Sequence, residues 1–308
     1  MKIGLFIGAL ATKMNLHDQI KMIIDAEKRG FDSFWFAQTG ETDVLTTIAL
    51  AGKETENIEL ATGVIPTYTR HPHVLAQQAA TVNAAISNRL ILGIGPSHRP
   101  GVERLGLKYD RPALYIREYV EILRELTTQG HTNYQGDIFN IESSFNLIDS
   151  TPMPIMISAL APMMLKVAGE VADGTITWMA GLTALRRHVI PKLNAASANA
   201  QREQLRVVAG VPFSVTDDIR NAKIVAGEKF QVYGRLENYR RILDYGEVEG
   251  PSDVAMLGNE VQLAEQIAQY FEAGVTDLIL APFASDIQDE SNLSNLDILQ
   301  GIATEYNA

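Results

Sequence analysis

The chain has 308 residues, with 26 Lys and Arg against 37 Asp and Glu and a formal net charge of −11. That balance excludes a nucleic-acid binder built on a concentrated basic surface, and a content of 46% hydrophobic and 20% charged residues excludes an intrinsically disordered chain. No cysteine is present, which rules out disulfide staples, thiolate metal sites and a cysteine nucleophile; it is compatible with a reducing cytoplasm, the expected location.

The N-terminal run MKIGLFIGALA places Lys2 ahead of a short apolar stretch and the triplet Ala9-Leu10-Ala11, a pattern that imitates a signal peptide. The same residues, with Gly4 and Gly8, read as a buried parallel strand over 3–8. Further apolar, β-rich runs predict strands at 33–37, 58–64, 90–95, 155–158, 174–178, 206–214 and 276–281. Amphipathic patterns between them predict helices at 16–29, 43–54, 73–86, 111–128, 161–171, 182–199, 217–231 and 259–273, with a last one at 293–306. One unit recurs in AEKRGFDSFWFA (26–37), GEVADGTITWM (169–179) and YFEAGVTDLILAP (270–282): a helix, a Gly suited to a left-handed C′ position, and a strand apolar on both faces. Eight strands alternating with helices predict an α/β fold of the (β/α)8 TIM-barrel type, as one domain over 1–308. Two segments exceed a minimal barrel and are read as insertions after strands 4 and 7. They are 130–150, which alternates like a hairpin, and 232–258, rich in Gly, Tyr and charge. The longest strongly apolar segment, 152–165, is broken by three prolines, so no membrane span is expected.

In such a barrel the site lies at the C-terminal ends of the strands. The residues there are Gln38-Thr39 after strand 2, Thr62 to Pro66 after strand 3 and Gly95-Pro96-Ser97-His98 after strand 4. Ser158 to Pro162 follow strand 5, and Trp178 to Gly181 follow strand 6. Most are small, apolar or neutral, which suits a flat ring that brings its own chemistry and offers neither a metal cluster nor paired acids. His71-Pro72-His73 has a spacing that two metal ligands could use, but the acid and histidines expected after strands 5, 6 and 8 are replaced by Ala159, Trp178 and Pro282; Arg70, His71 and His73 are read instead as capping a helix start or meeting an anion there. Gly93-Ile94-Gly95 lacks the third glycine of a dinucleotide fingerprint, so Gly93 is read as relieving packing in strand 4 and Gly95 as turning the chain. Met153, Met156, Met163 and Met164 are read as core filler.

The run TGVIPTYTRHPHVLAQQAATVNAAISNRLILGIGPS (62–97), with the helix from Arg111, the hairpin around Tyr134-Gln135-Gly136, PIMISALAPMMLKVAGEVADG (154–174) and EAGVTDLILAP (272–282), resembles the bacterial luciferase-like superfamily, in particular its coenzyme F420-dependent oxidoreductases. The motif GPSH is similar to a subgroup related to methylenetetrahydromethanopterin reductase. The resemblance implies that Thr62-Gly63-Val64 forms a bulge backing the deazaflavin ring, with a non-proline cis peptide between Gly63 and Val64. It further implies that Gly95, Pro96 and Ser97 approach the ring and its phosphate-bearing side chain, and that Ala159, Leu160, Ala161, Trp178 and Met179 contact the cofactor's tail. His98 is the expected proton donor and Gln38 the neighbouring catalytic residue after strand 2. Relatives that oxidise alcohols carry an acid–histidine pair or similar where this chain has Gln38-Thr39, so hydride transfer from reduced coenzyme F420 to an activated C=C or C=N of a small molecule is the expected reaction.

Two other readings stay open: an FMN-dependent monooxygenase of the same fold, and a non-catalytic flavin-binding barrel. The resemblance also implies a homodimer with 73–86 as a contact helix. Arg70, His71, Arg99, Arg104, Arg186 and Arg187 are the candidates for a local cationic patch, Arg99 and Arg186 first among them.

Overall fold

The computed structural model describes residues 1–8, 14–39, 42–203, 205–283 and 293–307. Eight parallel strands form its centre: β1 (Lys2–Ile7), β2 (Ser33–Phe36), β3 (Glu59–Thr62), β4 (Leu90–Gly95), β5 (Ile155–Ser158), β6 (Gly174–Trp178), β7 (Arg206–Val215) and β8 (Asp277–Pro282). Each pairs with the next in chain order, and β8 pairs back onto β1 through Lys2–Asp277 to Leu5–Leu280, closing the barrel. Two short strands extend the sheet: Ile65–Pro66 beside β4 and Met256–Gly258 beside β7.

The period-2 alternation of a strand sorts the apolar side chains into two cores. Phe6, Trp35, Ala61, Ile91, Met156, Ile176, Val208 and Ile279 fill the barrel interior, while their neighbours, such as Leu5, Ile7, Phe34 and Phe36, point outward and pack under the helices. Residues apolar on both faces are what makes these segments strands of a covered parallel sheet. Several helices begin where short polar side chains accept first-turn N–H groups. Asn15 caps Leu16–Lys28, Asp43 caps Val44–Ala51, and Asn259 with Gln262 forms a capping box on Glu260–Glu272.

The helix–Gly–strand unit holds at Gly30 (φ +80°) and Gly274 (φ +100°), which are left-handed. It does not hold at Gly174. That residue lies in β6, where a Cβ would meet the Arg206 carbonyl oxygen at 2.2 Å, so close approach of β7 is what requires glycine there. Met163 departs from the expected core role, being 71% exposed, whereas Met153, Met156 and Met164 are buried.

The segment between the β4 helix (Pro112–Gln129) and β5 is a hairpin, His131–Gln135 paired with Asn140–Ser144. Its turn is tied to that helix by the Glu118 carboxylate, which accepts the N–H groups of Asp137, Ile138 and Phe139 at 2.9–3.0 Å. The segment between β7 and β8 contains a helix, Glu237–Tyr245, that composition did not announce. Sequence reading also missed the short helix Arg99–Arg104 after β4. The helix expected over 182–199 is interrupted by a π turn at Leu185–Val189. No helix among the described residues is long and apolar enough to cross a membrane, and the Ala9-Leu10-Ala11 triplet lies outside the described residues.

Candidate functional site

The C-terminal ends of β3, β4 and β6 carry three backbone departures. The Gly63–Val64 peptide is cis, and Ser97 (φ +60°) and Met179 (φ +59°) are left-handed although neither is glycine. Left-handed non-glycine residues persist where the surroundings over-determine them, and they concentrate at functional sites. β3 ends at Thr62, two residues before the expected limit. There the Thr62 side chain replaces a strand partner: its Oγ1 donates to the Gly93 carbonyl at 2.7 Å and accepts from the Gly93 N–H at 2.8 Å. A Cβ on Gly93 would meet the Thr62 carbonyl oxygen at 1.9 Å, which explains that glycine as the packing reading expected. Gly95 does not turn the chain. It remains in β4 against Ser158 Oγ, and the turn is made by Ser97.

Around this backbone the wall is neutral. Val64 packs with the interior core and Pro96, Ala159 and Met179 are buried. The Ala159 carbonyl accepts from Thr175 Oγ1 at 3.5 Å, and the Leu160 carbonyl bonds His188 Nε2 at 2.8 Å. Ala161 begins the helix Pro162–Val171 without a side-chain cap, leaving its first-turn N–H groups available to an anion. The Trp178 ring lies 5.0 Å from Phe6, 6.0 Å from Phe230 and 5.8 Å from Tyr233. Its Nε1–H is buried and has no hydrogen-bond partner among the described residues. The indole is the group that opposes the rise in the Tyr233 phenol's pKa that burial causes. A flat ring with polar edges fits these features: neutral walls and an unspent donor.

His98 precedes the helix Arg99–Arg104. Its carbonyl accepts the Gly101 and Val102 N–H groups, while its side chain caps nothing. Its ring is half-buried, 5.5 Å from Tyr239, and burial lowers its pKa below the usual histidine value. Gln38 is differently employed. Its amide donates to the Thr42 carbonyl and accepts the Val44 N–H, both at 3.1 Å, so both ends of the side chain fix the loop after β2.

Each member of the expected cationic patch has a partner of its own. Arg70 pairs with Asp43, and His71 Nδ1 accepts the His73 N–H at a helix start. Arg99 pairs with Glu103 and Arg104 bonds the Pro100 carbonyl. Arg186 reaches the Gln269 carbonyl and Arg187 pairs with Glu247. Among the described residues no group of three or more His, Asp or Glu side chains could hold a metal ion. Two surface hollows, of about 580 and 430 Å³, lie away from the strand ends, one along the C-terminal helix near Gln300 and one between Pro72–Ala85 and Phe145–Ser150.

Sequence reading missed Tyr239, Tyr233, Tyr109 and His188. The three tyrosines at 233, 239 and 245, inside a segment with helical spacing of Tyr239, Ile242 and Leu243, were the available signal.

Comparison with known proteins gives the chain its relatives. The 5,10-methylenetetrahydromethanopterin reductase of Methanopyrus kandleri is 25% identical over 320 residues, covering 89% of this chain and 91% of the relative. The enzymes of that name from Methanolobus tindarius and Archaeoglobus fulgidus are 28% and 32% identical over shorter stretches, and the chain spans only 62% and 46% of their lengths. Among solved structures, the coenzyme F420-dependent tetrahydromethanopterin reductase of Methanopyrus kandleri superposes with a TM-score of 0.79 at 20% identity over 99% of both chains. An F420-dependent secondary alcohol dehydrogenase gives 0.79 at 21% over 98% and 97% of the two chains, and an FMN-bound type II Baeyer–Villiger monooxygenase from Pseudomonas putida gives 0.77 at 17% over 99% and 98%; these share its fold. The profile of the luciferase-like monooxygenase family matches residues 1–277, nearly the whole barrel, and the chain belongs to that family.

Proposed function

We propose that this chain is an oxidoreductase of one domain over 1–308 that binds coenzyme F420 and passes hydride from its reduced form to an activated C=C or C=N of a small organic molecule. The observation that carries the reading is the likeness, along 89% of the chain, to an enzyme named as a reductase; the neutral wall and the unspent Trp178 donor support it. Thr62, Gly63 and Val64 would back the ring, and Gly95, Pro96 and Ser97 would approach it from β4. Ala159, Leu160, Ala161, Trp178 and Met179 would hold the tail, with the uncapped start of Pro162–Val171 facing its anionic end. When bound, the deazaflavin supplies a hydride equivalent and, having carbon in place of flavin N5, does not activate oxygen. His98 holds the proton that the reduced substrate atom requires, and aromatic side chains flank its half-buried ring. Gln38 holds the β2 loop in place beside the site.

The first experiment is titration of the purified protein with oxidised coenzyme F420 and, separately, FMN, following Trp178 and Trp35 fluorescence. Micromolar binding of the deazaflavin with FMN at least tenfold weaker supports the reading. Preferential FMN binding with substrate-dependent oxygen consumption replaces it with the monooxygenase alternative, and binding of either without any turnover leaves the non-catalytic barrel.

The same proposal includes a cytoplasmic homodimer through Pro72–Ala85. That helix contains no Lys, Arg, Asp or Glu, exposes Val74 and borders the hollow formed with Phe145–Ser150. Sedimentation velocity at micromolar protein should give twice the mass of the 308-residue chain; a monomer at that concentration removes the dimer from the proposal.

A further inference from the structure

The loop 96–99 at the end of β4 lies between two aromatic groups. On one side the Tyr109 hydroxyl donates to the Ser97 carbonyl at 3.4 Å, the Arg99 guanidinium lies 5.1 Å from the Tyr109 ring centre, and Tyr109 stacks on Tyr68 at 5.2 Å. On the other side the His98 imidazole meets Tyr239 at 5.5 Å, Tyr239 meets Tyr233 edge-on at 4.9 Å, and Tyr233 meets Trp178 edge-on at 5.8 Å. This second group is brought to the site by the helix Glu237–Tyr245, which is firmly seated. Ile242 and Leu243 are each 1% exposed. Tyr245 stacks on His188 at 3.8 Å and 14°, and His188 in turn bonds the Leu160 carbonyl. The helix therefore spans from the β5 loop to the β4 loop, with Tyr239 held against His98.

We propose that Tyr239 is the specificity-determining residue of this site, forming the wall beside His98 and favouring a flat conjugated acceptor, such as an aryl enone, over a saturated one of the same skeleton. The inference rests on the reading above that the acceptor is received at His98. A tyrosine ring offers a π face and edge to a planar partner and gains from offset or edge-on contact what a puckered saturated ring cannot return. The Tyr239 hydroxyl keeps its proton, since burial and the Tyr233 phenol both push its pKa up and no hydrogen bond among the described residues opposes them. It can therefore donate to a carbonyl oxygen.

Isothermal titration calorimetry with 4-phenylbut-3-en-2-one and its saturated counterpart 4-cyclohexylbutan-2-one tests this, first on the protein alone and then with coenzyme F420 present. The wild type should bind the aryl enone about tenfold more tightly, equivalent to about 1.4 kcal/mol. Tyr239→Ala should bring the ratio to within about twofold of unity while affinity for the saturated ketone changes less than about twofold, and Tyr239→Phe should keep most of the preference. A wild type without preference, or a folded Tyr239→Ala that retains it, overturns the proposal. Tyr239→Leu, which keeps bulk without aromaticity, serves if the alanine variant does not fold. If coenzyme F420 fails to bind, the functional reading falls while the ratio on the protein alone still decides the role of Tyr239.

Discussion

His98 shows how burial alone redirects a side chain. An unperturbed imidazole titrates near pH 6.5; here removal from water disfavours the charged form and lowers the value. The groups around it leave that direction in place: Tyr239 carries its proton, and the Arg99 charge is paired with Glu103. At neutral pH only a minor fraction of His98 is charged. If the imidazolium delivers the proton to the reduced substrate, kcat/KM should rise as pH falls from 7.5 and level off at the lowered pKa, below 6.5. His98→Ala should remove that limb and lower kcat by about 10²-fold, with cofactor affinity within about threefold; an unchanged rate and profile would take His98 out of the mechanism. The fold responds in the opposite sense. Because the folded-state value lies below the unfolded one, protonation costs stability as pH falls below about 6.5. His71 and His188, lowered by burial as well, add to this loss, so the activity limb is to be read in the folded range.

At the level of elements, the barrel strands were legible because each is short, apolar on both faces and bounded by turn residues, and that pattern has few other readings. Seven of the eight expected strands start and end within one residue of those observed, and β3 differs for a local reason. Its last expected residues, Gly63 and Val64, leave the ladder in the bulge, with Thr62 Oγ1 bonded to Gly93 in place of a backbone partner. The helix Glu237–Tyr245 was less legible because its segment is dense in Gly, Tyr and charge, and only Ile242 and Leu243 are fully buried. Its role rests on aromatic contacts with His98 and His188, residues distant in sequence, which no local pattern encodes. The site divides in the same way. Residues directly after strands could be found by counting along the chain. Tyr239, Tyr109 and His188 reach the mouth through tertiary packing, and Gln38 shows the converse, a residue in the expected place whose amide is occupied by Thr42 and Val44.

Across the whole molecule, the barrel strands are tied together by charge at one end. The end opposite the proposed chemistry, the N-terminal end, is closed by ion pairs between strands. Arg206 at the start of β7 pairs with Asp277 of β8 and, at 3.0 Å, with Glu59 of β3; Lys2 of β1 reaches Glu59 at 2.8 Å. Asp277 is only 1% exposed. A buried carboxylate is tolerable while a guanidinium faces it and costly once that partner is removed. Arg206→Leu should therefore lower the unfolding free energy by about 3–5 kcal/mol at pH 7 in urea titrations, the Thr276 hydroxyl being left as the side-chain donor on Asp277. Glu59 adds a pH signature. Burial pushes its pKa up, but the hydrogen bonds and charges of Arg206 and Lys2 outweigh that and hold it below the usual carboxylate value. Its contribution thus stands above about pH 4.5 and is lost as the pH falls through the lowered value. Without Arg206 the burial effect is less opposed and the Glu59 value moves back toward the usual carboxylate range, so the part of the stability that is lost below about pH 4.5 should be smaller in the variant than in the wild type. Affinity for the proposed cofactor, whose proposed site lies at the other end of the barrel, should stay within about twofold. A stability loss under about 1 kcal/mol would mean that solvent screens the network, and a parallel loss of cofactor affinity would mean that the two ends of the barrel are coupled.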